Sequence, residues 1–136
     1  MTRTEGMVDL IIGREDAAEF SQVLQRMLQL CQAKCVLLVN RDDGSLITCE
    51  GEQEHLDTVS LGALAAGSFA SAKEIARLVG EPEFTVLFHQ GERQHILVNL
   101  VGVHGLLMAL FDDRTTIGLV RLCAREAAAQ LEARLS

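Results

Sequence analysis

With 136 residues and a net charge of −7, nineteen acids against twelve Lys and Arg, the chain has the size of one domain and the wrong sign for polyanionic partners. No basic stripe reverses that charge locally. With no Trp or Tyr and only five Phe, there are few rings for bases to stack on, so nucleic acid and anionic membranes are set aside.

Residues 1–14 read as an amino-terminal tail and 15–136 as a single domain. Met1 to Gly13 lacks the apolar stretch and cleavage pattern of a secretion signal, and charge, polar residues or Gly break every run short of the roughly 18–20 apolar residues a membrane span needs. A soluble, cytoplasmic protein is expected. From 14 to 31, Ala17, Phe20, Val23, Leu24, Met27, Leu28 and Cys31 recur at steps of three and four, which predicts an amphipathic helix with Asp16 as its cap or a first-turn acid. Residues 35–40 (CVLLVN) then form a short strand, apolar on both faces and therefore central. A second, more polar strand at 45–49 suits a sheet edge. Asp43-Gly44 between them is a hairpin signal, because Gly takes the positive φ that a tight turn demands.

The stretch from about Leu56 to Val79 predicts a long helix, stopped by Gly80 with Pro82 beyond. Its first half is crowded with Gly, Ala and Ser. Two glycines inside a helix cost about 1 kcal/mol each relative to Ala, a cost usually offset by close approach of another backbone. Ala63, Gly67 and Ala70 lie on one stripe, Gly62 and Ala66 on the next. The residues after it predict three strands in quick succession, 84–90, 95–100 and 105–111, whose short turns favour an antiparallel meander. Thr115 or Thr116 then caps a last helix, with Ile117, Val120, Leu122, Cys123, Ala127, Ala128 and Leu131 as its apolar positions. The order α-β-β-α-β-β-β-α predicts an α/β (α+β) fold, a five-stranded antiparallel sheet with helices on both faces.

No catalytic motif emerges, and no enzyme, cofactor or metal is expected. Gly62 to Gly67 has the glycine spacing of a phosphate-binding loop, but Ser68-Phe69 stand where Lys and Ser/Thr are required. Cys31, Cys35, Cys49 and Cys123 lack the spacing of a zinc site and read as buried, reduced thiols. His89 and His95 flank the Gly91 turn and are placed to approach each other across the hairpin, either as an acid/base or metal pair or as ordinary surface histidines. Arg41, Arg93 and Arg114 sit in predicted turns, where an exposed Arg reads either as a finger that stabilises phosphoryl transfer in trans or as a solvated turn residue. Two features exceed what a lone subunit needs. One is the small-residue helix, which packs on its own sheet, on another chain, or on both. The other is the apolar strand 84–88, which must be central, covered or paired with its own copy to avoid aggregation.

VLLVNRDDGSLITCEGE (36–52), LDTVSLGALAAGSFASAKEIARLVGE (56–81), FTVLFHQGERQHILVNL (84–100) and LLMALFDDRTTIGLVRLCAREAA (106–128) together resemble the Roadblock/dynein light chain family. Within it, HQGER and FDDRTTIGLVRL look most like the bacterial MglB-like members. The resemblance implies a homodimer in which the second helices lie side by side and the third strands join into one sheet. It also implies docking of a small Ras-like GTPase, whose nucleotide cycle the dimer modulates without inserting an arginine finger. The expected dimer and partner interface is Leu61, Ala65, Gly67, Ser68, Phe69, Ala72, Lys73 and Arg77 on the helix, with Phe84, Val86 and Phe88 on the strand. Two other readings stay open: a non-catalytic adaptor pairing with another Roadblock protein or a motor-type complex, and a small-molecule sensor domain.

Overall fold

Central strands buried on both sides organise the molecule. The computed structural model describes residues 14–135, so the tail expected at 1–14 lies almost wholly outside the described residues. In chain order the elements are α1 (Arg14–Cys31), β1 (Cys35–Asn40), β2 (Leu46–Gly51), α2 (Thr58–Leu78), β3 (Val86–Gln90), β4 (Gln94–Val101), β5 (Gly105–Asp112) and α3 (Ile117–Leu135). The five strands form one antiparallel sheet in the order β2-β1-β5-β4-β3. Every residue of β1 is buried, as its two-sided apolar character requires, and β5 beside it is buried from Gly105 to Phe111. β2 and β3 are the edges.

Side chains alternate across this sheet and feed two cores. Val36, Leu38, Leu97, Leu107, Ala109 and Phe111 point to one side, where Phe20, Leu24 and Met27 of α1 and Val120, Ala124 and Leu131 of α3 cover them. Arg134 of α3 reaches back to Asp16 and Glu19 of α1 at 3.0 and 2.8 Å, an exposed tie that orients more than it stabilises. Cys35, Leu37, Val39, Val98, Leu106, Met108 and Leu110 point the other way, where α2 alone meets them through Ala65 and Phe69.

The β1–β2 connection is longer than a two-residue Asp-Gly turn. Asn40 N–H donates to Ser45 O and Gly44 N–H to Asn40 O, both at 2.8 Å, with Gly44 at φ +75°. The register slips between Leu38 and Val39 to accommodate it. Two sequence expectations shift here. The third strand begins at Val86, so Phe84 belongs to its lead-in. In α3, Ile117 and Leu122 face outward at 37% and 48% exposure, while Ala124 takes an inward position.

Candidate functional site

Helix α2 has a local reason for each end. The Asp57 carboxylate accepts hydrogen bonds from the Ser60 backbone N–H at 3.0 Å and the Ser60 hydroxyl at 2.7 Å. Those two bonds hold the Asp57 carboxyl below its ordinary value. At the exit, Gly80 adopts φ +86° and Glu81 N–H returns to Ala76 O at 2.9 Å, so the chain turns away before Pro82.

Between those ends the helix divides into two stripes. Gly62, Ala65, Phe69, Ala72 and Ala76, at steps of three and four, are buried. Small side chains let α2 lie close to β1 and β5, and a Cβ at Gly62 would come within 2.7 Å of the Gly44 carbonyl oxygen in the β1–β2 turn. The opposite stripe is apolar and open: Leu64, Ile75 and Leu78 are 69%, 57% and 81% exposed, with Gly67 and Ser71 between them. A Cβ at Gly67 would meet nothing within 4 Å. The two helix glycines therefore answer to different demands.

This open stripe borders β3, whose backbone pairs with β4 on one side only. A groove of about 540 Å³ runs between them, lined by Leu64, Gly67, Ser71 and Ile75 of the helix and by Leu87 and His89 of the strand. The arrangement offers a partner a shallow apolar trough beside a strand with unpaired backbone groups, the two elements needed to dock a helix and extend a sheet.

The expected interface residues fall into three groups. Ala65 and Phe69, 4% and 2% exposed, pack into their own subunit's core, while Ala72, 7% exposed, also lines the groove. Leu61 is half-buried and packs into the same core. Gly67 and Ser68 line the groove, and Lys73 and Arg77 stand exposed beside it, Arg77 bonded to Glu74 at 2.7 Å. Phe84 and Val86 are half-buried, and Val86 and Phe88 lie on the side of the sheet facing α3. The strand residues that face the trough are Leu87 and His89, neither of them among the expected contacts. Leu64, Ser71, Ile75 and Leu78 are likewise additions. Their four-residue and three-residue spacing is legible in the sequence, but the stripes of small residues on the same helix compete with it.

The expected approach of His89 and His95 fails because of strand alternation. His89 pairs with Ile96 and faces the α2 trough; His95 pairs with Gln90 and is buried on the other side against Phe88 and Phe111. His95 Nδ1 accepts from the Gly91 backbone N–H at 3.2 Å, so its Nε2–H donates to Asp113 at 2.9 Å. That histidine fastens the β3–β4 turn to the β5–α3 loop. No group of three metal-ligating side chains occurs among the described residues. Of the turn arginines, Arg41 is paired with Glu83 and Arg114 with Asp112, whose carboxyl its hydrogen bonds hold below the ordinary range. The four thiols are free; burial pushes Cys31 up to about 11 and Cys35 up to about 12. No helix among the described residues is long and apolar enough to cross a membrane.

A sheet of this order, two helices behind it and one in front, is the Roadblock architecture. The sequence profile of the Roadblock/LC7 domain matches residues 19–111, and the chain belongs to that family. The Myxococcus xanthus MglB structure is 35% identical, covering 91% of this chain and 92% of that one with a TM-score of 0.83. The gliding protein MglB of Thermus thermophilus is 27% identical over 95% and 97% of the two chains, with a TM-score of 0.88. A Roadblock/LC7 domain from Streptomyces avermitilis, 13% identical over 84% and 95% at a TM-score of 0.76, shares the fold alone. Comparison with curated proteins gave no match.

Proposed function

We propose that the chain is a cytoplasmic homodimeric regulator that binds a small Ras-like GTPase and modulates its nucleotide cycle, performing no catalysis itself. The observation that carries this reading is the open apolar stripe of α2, with Gly67 unopposed within its own subunit, beside the one-sided strand β3. In the proposed dimer the two α2 helices lie together at their glycines and the two β3 strands pair, converting two short edges into one continuous sheet. Likeness to MglB structures over nearly the whole chain supports the GTPase as partner. The pairing of Arg41 and Arg114 with carboxylates leaves Arg93 as the one exposed, uncommitted turn arginine among the three. The resemblance to MglB-like members favours a regulator that repositions the GTPase's own groups over one that inserts it.

Gly67→Arg tests the assembly and its task together. Light scattering is expected to show a dimer for the parent chain and a monomer for the variant, both folded. Single-turnover GTP hydrolysis by a Ras-like GTPase purified from the same cells is expected to change on adding the parent chain and not on adding the variant. A parent chain that is monomeric at micromolar concentration removes the dimer. A dimer that leaves both hydrolysis and nucleotide release unchanged removes the regulatory role and leaves an adaptor.

A further inference from the structure

The side of the sheet opposite α2 carries a second opening. Between β3, β4 and the first half of α3 lies a cleft of about 580 Å³, lined by Val86, Asn99, Gly118, Arg121, Leu122 and Arg125. Its mouth is open: a Cβ at Gly118 would meet nothing within 4 Å, and Ile117 and Leu122 are exposed beside it.

The chemistry of this cleft is unusual for the molecule. Arg121 and Arg125 lie one helical turn apart, so two like charges share one wall. Neither makes an ion pair or hydrogen bond among the described residues; Arg26 and Arg93 are also unpaired, but they stand singly, whereas Arg121 and Arg125 share one cleft. Asn99 is only 8% exposed, and its amide nitrogen is committed to the Leu100 carbonyl at 2.9 Å. Its side-chain oxygen accepts no hydrogen bond among the described residues. An amide oxygen on the cleft wall, two unmatched guanidinium groups and two apolar side chains thus converge on one space.

We propose that this cleft binds an acidic, partly apolar segment of a partner protein. Carboxylates would pair with Arg121 and Arg125, whose planar forks suit that geometry. An apolar side chain would cover Val86 and Leu122, and a backbone N–H would donate to Asn99 Oδ1. A short segment fits better than a nucleic acid or an anionic membrane: the chain's net charge of −7 repels an extended polyanion, while two arginines attract carboxylates at contact range. The cleft lies on the α3 side of the sheet and the trough on the α2 side, so the proposal does not rest on the GTPase reading.

The test is fluorescence anisotropy with the full chain and three labelled probes: a peptide of repeating Glu-Leu-Gly, its Gln-Leu-Gly counterpart, and single-stranded oligothymidine. The Glu peptide is expected to bind best, and less tightly as salt rises. The double variant R121E/R125E should lower its affinity about tenfold or more with an unchanged circular dichroism spectrum. R121K/R125K should lose less. Arg26→Glu, which alters charge on α1 outside the cleft, and Gly67→Arg, which disrupts the α2 trough, should leave it unchanged. The proposal is overturned if the Glu peptide fails to bind, if the Gln peptide binds equally, if charge reversal has no effect, or if oligothymidine binds as well.

Discussion

The two faces of the sheet are built to different degrees of completion. Behind the sheet, α1 and α3 lie side by side and bury a continuous core from Phe20 to Leu135. In front, α2 spans β1 and β5 alone, leaving Leu87, Ile96 and Leu100 of the outer strands only partly covered. The same helix carries Leu64, Ile75 and Leu78 on its far side. One layer is finished by the subunit; the other has room and apolar surface for one more helix. Exposed apolar residues scattered singly are ordinary, but a helical stripe of them beside a sheet edge is not.

Several measurements break or sharpen this contrast. The largest effect belongs to Phe69→Ala, which empties the single aromatic anchor of the front layer. It should cost about 3–5 kcal/mol in urea denaturation, the scale of a buried Phe truncation. If Phe69 instead served a partner, subunit stability would hardly change. Gly62→Ala comes next: a methyl 2.7 Å from a backbone oxygen should destabilise by about 1–2 kcal/mol net, even after the helix preference for Ala. Gly67→Ala should do the opposite at low protein concentration, gaining up to about 1 kcal/mol for the isolated subunit while weakening association. Equal effects at the two glycines would erase the distinction between them.

Smaller shifts follow from titration. The thiols of Cys31 and Cys35 have raised values, so the folded chain holds their protons where the unfolded chain releases them. Their contribution is complete below the ordinary thiol value of 9.0 and is lost as pH climbs towards about 11 and 12. Melting temperature should fall above pH 9, and less steeply in Cys35→Ala. The Asp57 carboxyl has the reverse sign. Its lowered value adds stability above the ordinary 3.8 that disappears as acid drives the pH down through the folded value. Asp57→Ala should therefore melt slightly earlier than the parent at neutral pH, with the gap narrowing in acid.

Periodicity made the element order legible, because α1 alternates at helical spacing and β1 is apolar throughout. The direction of α2 was not. Gly, Ala and Ser occupy nearly all its sides between 62 and 72, so no simple pattern says which stripe meets the sheet; only the packing of Phe69 and the approach of Gly62 to Gly44 decide it. At the histidine hairpin, the position of strand pairing mattered more than spacing, since one step along a strand reverses a side chain. The Arg121 cleft was invisible for another reason. Its parts come from residues 86, 99 and 118–125, which only the folded sheet brings together.

The short turn after β1 holds more of the molecule than its length suggests. Gly44 supports the opening of α2 at Gly62, while Arg41, three residues earlier, clasps Glu83 just past that helix's exit. Both approaches to the helix are thus moored to one bend of the chain. A load applied to the outside of α2 would be carried into β1, the most enclosed strand of the sheet, so the platform can be gripped without being peeled from its base.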